Sequence, residues 1–146
     1  MAAIIDAYRA VTQSVTMSGP TLLAPILEKF EKATVSNKVY RLLVIMVDGE
    51  IDDYKVSLNI LVRLSFLPCS VIIVGIGAAP FTKLSQLNKQ PLRDSDFSPS
   101  RRATVQFVNS EDGVENALRK IPLQVCEHLE KSGYVPDMGE GERLLL

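Results

Sequence analysis

The chain alternates between amphipathic segments and short apolar runs. Apolar residues recur at helical spacing in residues 3–16 and again from Thr21, a competent N-cap, with Pro25 tolerated near the first turn. Two nearly continuous apolar runs, residues 39–47 and 69–76, are rich in β-branched residues and are typical of strands covered on both faces. The pattern therefore predicts two helices followed by strands of a buried sheet.

The second half of the chain continues this alternation. Residues 54–67 are predicted to form a helix, residues 81–87 a short helix and residues 104–108 a third strand. A last helix is predicted over residues 111–131, kinked or divided at Pro122. Strands separated by helices indicate an α/β fold, with a doubly wound, mainly parallel sheet and helices on both faces.

Length, charge and cysteine content exclude several classes of function. The chain has 146 residues, enough for one domain, and a formal net charge of −1, so we expect no nucleic-acid partner. No apolar stretch approaches the roughly 18 residues of a membrane-spanning helix, and no secretory signal is evident, so we expect no direct membrane insertion. Two cysteines are too few for a four-cysteine zinc site, and a cytoplasmic location is expected.

Candidate chemistry is concentrated in an acidic loop after the first strand. Its acids lie just beyond the carboxyl end of a predicted buried strand: Asp48, Glu50, Asp52 and Asp53. Open α/β sheets bind ligands at this end, and a carboxylate there can bind a hard cation such as Mg²⁺. The alternative is a solvated turn in which Asp52 or Asp53 caps the next helix.

Other candidates have simpler structural explanations. Thr21 can face the same crevice or act only as an N-cap. Gly75 and Gly77 lack the third glycine of a dinucleotide fingerprint, which favours a tight turn that needs small residues. Cys126 and His128 stand two positions apart, on different faces of a helix, which favours a structural or surface role. With no catalytic motif recognised, the chain is predicted not to be an enzyme.

Five short motifs occur in order along the chain. They are SGPTLLAPI at residues 18–26, YRLLVIMVDGEIDD at 40–53, LPCSVIIVGIG at 67–77, VQFV at 105–108 and ALRKIPLQV at 117–125. Together they resemble the C-terminal von Willebrand factor A-type domain of the copine family. The resemblance covers residues 4–130 and implies a von Willebrand factor A-like fold, truncated at its N-terminus.

The resemblance also implies a metal-ion-dependent adhesion site in the crevice. Thr21 and Asp48 match two of its metal-site residues. The family's Asp-x-Ser-x-Ser segment belongs upstream of Thr21, so the implied site for Mg²⁺ or Mn²⁺ is incomplete and weak. A literal Asp-x-Ser-x-Ser match at residues 96–100 falls in a polar surface loop, together with a solvated pair, Arg101 and Arg102, and we interpret it as coincidence.

The function expected from the resemblance is non-enzymatic protein interaction. Glu50, Asp52 and Asp53 are assigned to contacts with protein partners. The alternative is a fragment of a regulatory or enzymatic protein whose active modules lie outside the chain. Such a protein would be a calcium-dependent phospholipid-binding copine, which implies peripheral membrane attachment in the full-length context, or a copine-like ubiquitin ligase.

The resemblance divides the chain into two parts. Residues 1–132 are expected to form a partial domain, and residues 133–146 a flexible tail. Without the family's preceding strands, the strand at residues 39–47 would have an unpaired edge, which predicts self-association through that edge.

Overall fold

The computed structural model describes residues 2–16, 18–36, 39–113 and 115–134. The helices are α1 (Ala2–Ser14), α2 (Ala24–Val35), α3 (Tyr54–Leu64), α4 (Thr82–Ser85), α5 (Glu115–Leu118) and α6 (Ile121–Lys131). The strands are β1 (Arg41–Val47), β2 (Cys69–Gly75) and β3 (Val105–Asn109), and short 3-10 turns follow α4 at Gln86–Asn88 and β3 at Ser110–Asp112. Residues 135–146 of the predicted tail lie outside the described residues.

The three strands form one parallel sheet in the order β1-β2-β3. The pairing between β1 and β2 runs from Arg41 opposite Cys69 to Val47 opposite Gly75. A parallel connection must cross over the sheet, and α3 provides that crossover between β1 and β2. The predicted α/β fold is therefore confirmed. Among the described residues, no helix is both long and apolar enough to cross a bilayer.

The two faces of the sheet carry separate hydrophobic clusters. On one face α2 and α3 pack against the strands, and Leu27, Ile60 and Ile73 are almost completely buried there. On the other face α5 and α6 contribute Ala117 and Ile121 to a smaller cluster over β2. Helices thus cover both faces of β2, which explains its unbroken apolar sequence.

The prediction that β1 is covered on both faces is wrong. Leu42, Val44 and Met46 are 44%, 50% and 66% exposed, whereas Ile45 and Val47, on the opposite face, are buried. On the exposed side the neighbouring β2 residues are shielded by α5 and α6, but this cover does not extend to β1. One face of β1 is therefore apolar and bare.

Helix α1 forms where the helical spacing predicts it, but its apolar stripe is not buried. The stripe, with Val15 directly after the helix, consists of side chains that are each 46–74% exposed: Ile4, Ile5, Tyr8, Val11 and Val15. The chain therefore carries two exposed apolar surfaces, one on α1 and one on β1.

The start of α2 differs from the prediction. The helix begins three residues after Thr21, so the assignment of Thr21 as its N-cap is wrong. The physical reason is that the backbone N–H and C=O of Thr21 are both hydrogen-bonded to Asp52. The apolar positions at helical spacing from Thr21 are not all buried, since Leu22 and Ile26 are each 45% exposed.

The last predicted helix is divided, and Pro122 lies in the first turn of α6. Residues 111 to 113 are not α-helical, since a 3-10 turn leads into Gly113, whose φ of +80° is a glycine conformation. Val114, within the predicted range of this helix, lies outside the described residues.

Gly75 is required by packing at the end of β2. A Cβ at this position would lie 2.8 Å from the ring of Phe81 and 2.9 Å from the ring of Phe107. These two rings pack with their centroids 5.3 Å apart, and both are buried. The tight turn predicted from the two glycines is centred on Gly77, whose φ is +90°.

We predict that Gly75→Ala lowers the free energy of unfolding by about 1–3 kcal/mol, because the added methyl overpacks the two rings. Urea denaturation measures this change. Gly49→Ala is the matched control, since a Cβ there meets nothing within 4 Å. Equal losses from the two substitutions would contradict the packing explanation.

Candidate functional site

The acidic loop between β1 and α3 contacts the segment that leads into α2. The backbone N–H of Thr21 donates to the Asp52 carboxylate at 2.8 Å, and the backbone N–H of Asp52 donates to the Thr21 carbonyl at 2.9 Å. The fold thus brings together the two loops that the sequence assigns to one site. They meet at the carboxyl end of β1, where the crevice was predicted.

Asp53 caps a helix, but it does not cap the helix that follows it. Its carboxylate accepts hydrogen bonds from the backbone N–H groups of Leu23 at 3.0 Å and Ala24 at 2.7 Å, at the start of α2. It also accepts one from the Ser57 hydroxyl at 3.1 Å, while making no side-chain cap bond to α3. Its negative charge therefore lies at the positive end of the α2 dipole.

Glu50 also accepts a hydrogen bond from a backbone N–H group that is distant along the chain. Its Oε1 atom accepts a hydrogen bond from the backbone N–H of Lys83 at 2.8 Å. Burial, followed by the charge of Glu50, raises the pKa of Tyr54 above its ordinary value. The acids assigned to partner binding, Glu50, Asp52 and Asp53, thus also hold loops of this chain in place. Sequence reasoning missed this role because the bonded amides are distant along the chain.

Asp48 is placed differently from the other acids. It is exposed at the end of β1, on the wall of a depression of about 460 Å³ that is also lined by Tyr8, Met46, Val47 and Ile76. These walls are largely apolar. Asp48 thus supplies a carboxylate at the edge of an apolar surface.

The predicted metal pair, Thr21 and Asp48, stays a prediction. In the described part of the chain, no group of three or more His, Cys, Asp or Glu side chains has the arrangement of a metal site. A carboxylate and a hydroxyl are hard oxygen donors, which suits a cation such as Mg²⁺ that keeps several of its waters. Asp52 and Asp53 accept backbone hydrogen bonds instead.

The Asp-x-Ser-x-Ser match at residues 96–100 lies in the loop that precedes β3, not directly after a strand. The Asp94 carboxylate closes this loop by accepting hydrogen bonds from the backbone N–H groups of Asp96 at 3.0 Å and Ser98 at 2.8 Å. Neither residue follows a strand of the sheet. This context agrees with the interpretation of the match as coincidence.

Cys126 and His128 lie in different surroundings on α6. Cys126 is exposed, whereas the His128 ring packs edge-on against Tyr40, with the centroids 5.9 Å apart. Burial lowers the pKa of His128, and the positive charges of Arg102 and Arg101 lower it further. The imidazole is therefore mainly neutral near pH 7.

Arg102 is a structural residue that sequence reasoning placed wrongly in solvent. It is only 4% exposed, and its Nη2 atom donates to the carbonyls of Leu67 at 2.5 Å and Cys69 at 2.7 Å, at the start of β2. Its guanidinium also lies 5.8 Å from the centroid of the Tyr40 ring. The neighbouring Arg101 is exposed, as predicted. A double-arginine loop motif gave no signal that one cation would be buried.

The parallel sheet flanked by helices, with the acidic loop at its carboxyl end, defines an α/β domain consistent with the von Willebrand factor A-like fold. The chain belongs to the copine family, whose family model matches residues 1–137.

Two curated relatives are similar over most of this chain. Nicotinic receptor-associated protein 1 of Caenorhabditis elegans is 28% identical, and the protein of the same name from Caenorhabditis briggsae is 30% identical. Each alignment covers 91% of this chain and 25% of the relative. The chain thus spans about a quarter of the length of these relatives.

We predict that Asp53→Ala lowers the free energy of unfolding by about 1–3 kcal/mol, because it leaves two amides at the start of α2 without their charged acceptor. Hydrogen exchange should also accelerate at Leu23 and Ala24. Asp48→Ala is the control, since it removes an exposed carboxylate on the same loop. Similar losses of stability in both variants would show that the hydrogen bonds from α2 to Asp53 do not account for the effect.

Proposed function

We propose that the chain is a non-enzymatic protein-interaction domain of copine type, and that its partner contacts the carboxyl end of the sheet. The observation that carries this proposal is that the acids of this loop have different roles. Asp48 is exposed, while Glu50, Asp52 and Asp53 hold the surrounding loops by hydrogen bonds to backbone N–H groups. Such a surface is ordered before a partner arrives, which lowers the entropic cost of binding.

The chemistry of the crevice favours a partner with a basic group next to apolar side chains. Asp48 offers a carboxylate beside apolar walls, at Met46 and Ile76. Asp52 and Asp53 line a second depression of about 440 Å³, which Lys55 and Lys83 also line. They can therefore contact a partner while bonded to the α2 segment. Electrostatic attraction of this kind acts mainly on specificity and association rate.

A residual divalent-metal site at Thr21 and Asp48 is part of this proposal. Asp48 would provide the charged ligand and Thr21 a hydroxyl ligand, with water completing the shell of Mg²⁺ or Mn²⁺. One charged ligand makes this site weak.

The names of the two relatives describe association with a nicotinic receptor. For this chain we propose a protein partner in general, and a cytoplasmic location. A second candidate function is that the chain is one module of a longer regulatory or enzymatic protein. The match to only a quarter of each relative favours it. Calcium-dependent phospholipid binding and peripheral membrane attachment would then belong to the whole protein.

We also propose self-association through the edge of β1. Its bare apolar face supports this second type of contact. It uses a different surface from the acidic crevice and can be tested separately.

The interaction proposal predicts that Asp48→Ala reduces partner capture several-fold, because the substitution removes the exposed carboxylate. Immobilised wild-type and variant chains are compared by quantitative mass spectrometry of captured proteins. Asp96→Ala is the matched control, since it removes an exposed acid from the coincidental motif. Proteins lost only with Asp48→Ala support the crevice; identical capture by all three chains would refute it.

The metal proposal predicts heat on titration with Mg²⁺ or Mn²⁺ that is lost in Asp48→Ala and retained in Asp96→Ala. Isothermal calorimetry measures it, with Ca²⁺-free protein. Equal heats from the wild type and Asp48→Ala would remove Asp48 as a ligand. Loss of the heat in Asp96→Ala alone would show that the metal binds at the loop of residues 96–100 instead.

A further inference from the structure

The loop before β3 contains the segment SPSR at residues 98–101. The chain has 8 prolines, and only Pro99 follows a serine or a threonine. A hydroxyl residue followed by proline, with a basic side chain two positions further on, is the pattern that proline-directed protein kinases select. Proline has no backbone N–H, so it suits a kinase pocket that offers no acceptor at that position.

The serines of this loop use their hydroxyl groups differently. The Ser95 hydroxyl donates to the Asn59 side chain at 3.0 Å, and the Ser100 hydroxyl accepts from the N–H of Leu92 at 3.1 Å. Ser98 is exposed, and in the described part of the chain its hydroxyl forms no hydrogen bond. A kinase can therefore reach this oxygen without displacing a side-chain contact.

The backbone at Ser98 has a suitable shape. Pro99 forms an isolated antiparallel bridge with Arg93, so the chain is extended at the proline. The residue before a proline is itself restricted mainly to extended conformations. Ser98 thus lies at the exposed end of an extended segment, where the cleft of a kinase can enclose it.

We propose that Ser98 is a phosphorylation site for a proline-directed protein kinase, and that the phosphate loosens the loop of residues 92–100. In the transfer, the Ser98 Oγ atom bonds to the γ-phosphorus of ATP, the bond from that phosphorus to the bridging oxygen breaks, and ADP leaves. The hydroxyl proton passes to the catalytic aspartate of the kinase. No residue of the acidic loop after β1 takes part.

The loop is closed by the Asp94 carboxylate, which lies beside Ser98. Its Oδ1 atom accepts hydrogen bonds from the backbone N–H groups of Asp96 at 3.0 Å and Ser98 at 2.8 Å. A phosphate on Ser98 adds about −1.5 to −2 charges near pH 7, next to this carboxylate. Repulsion between the two anions therefore weakens the hydrogen bonds that close the loop.

Arg93 acts in the same direction. Its Nη1 atom donates to the carbonyl of Phe97 at 2.8 Å. A phosphate on the next residue is a charged acceptor, which binds a guanidinium more strongly than a neutral carbonyl does. Phe97 has a φ of +61°, a left-handed conformation that a bulky residue keeps only when its surroundings hold it. Loss of the contact with Arg93 therefore lets this segment relax.

Phosphorylation of the purified chain by a cyclin-dependent kinase and ATP tests the site, with the phosphate located by peptide mass spectrometry. We expect one phosphate on Ser98, none on Ser98→Ala and at least a tenfold lower rate for Pro99→Ala. Ser110→Ala is the matched control and should keep the wild-type rate, since Ser110 is exposed but not followed by proline. A chain without phosphate on Ser98, or equal rates for wild type and Pro99→Ala, would overturn the site.

Folding effects do not imitate the expected result. Ser98→Ala removes a hydroxyl that forms no hydrogen bond, so its urea midpoint should equal that of the wild type. If Pro99→Ala loosens the loop, access to Ser98 improves, so a lower rate reports the missing proline. The same phosphopeptide is expected from dividing cells that express the chain, and it should disappear with an inhibitor of cyclin-dependent kinases. Its absence from untreated cells would overturn the site.

Hydrogen exchange tests the loosening separately. The amide of Asp96 should exchange at least tenfold faster in the phosphorylated chain, because its acceptor is repelled by the phosphate. The amides of Leu23 and Ala24 are the internal control and should be unchanged, since their acceptor is Asp53. Unchanged exchange at Asp96 would overturn the loosening and keep the modification site. Neither result affects the crevice proposal, which depends on the Asp48 variant.

Discussion

The hydrogen bonds from the start of α2 to the Asp53 carboxylate are the contact on which the candidate site depends. They fix the loop that carries Thr21 against the loop that follows β1. Without a charged acceptor, the amides of Leu23 and Ala24 would be only partly compensated at a place where water has limited access. The same loop then leaves Asp48 exposed. A structural cap and a binding surface are thus made from one short acidic segment.

Arg102 plays the corresponding structural part at the amino end of the sheet. Parallel strands leave carbonyl groups unpaired where the chain enters them, and the guanidinium of Arg102 supplies donors to those of Leu67 and Cys69. Burying a cation is costly unless it is hydrogen-bonded, and here several carbonyls and the ring face of Tyr40 surround it. Backbone groups are thus held by a carboxylate, Asp53, at the carboxyl end of the sheet and by a guanidinium, Arg102, at its amino end.

The order and type of most elements follow from the sequence, because periodicity reports the local backbone state. What periodicity does not report is which surface covers a strand. The runs in β1 and β2 are equally apolar, yet Ile72 is fully buried and Val44 is half exposed. The roles of Asp53 and Arg102 were also not predictable, since each bonds to residues about thirty positions away. Local rules assign a carboxylate to the helix beside it and a loop arginine to solvent, and here the tertiary fold decides otherwise.

The distant cap of α2 has a consequence for the order of folding. The amides of Leu23 and Ala24 cannot find their acceptor until the loop after β1 has been positioned. The β1 strand in turn needs β2, which the chain reaches only after the α3 crossover. Since contacts between distant segments close late and at an entropic cost, the first turn of α2 should be among the last parts of the domain to become ordered. The crevice would then be completed only in the final stage of folding, after the sheet that supports it.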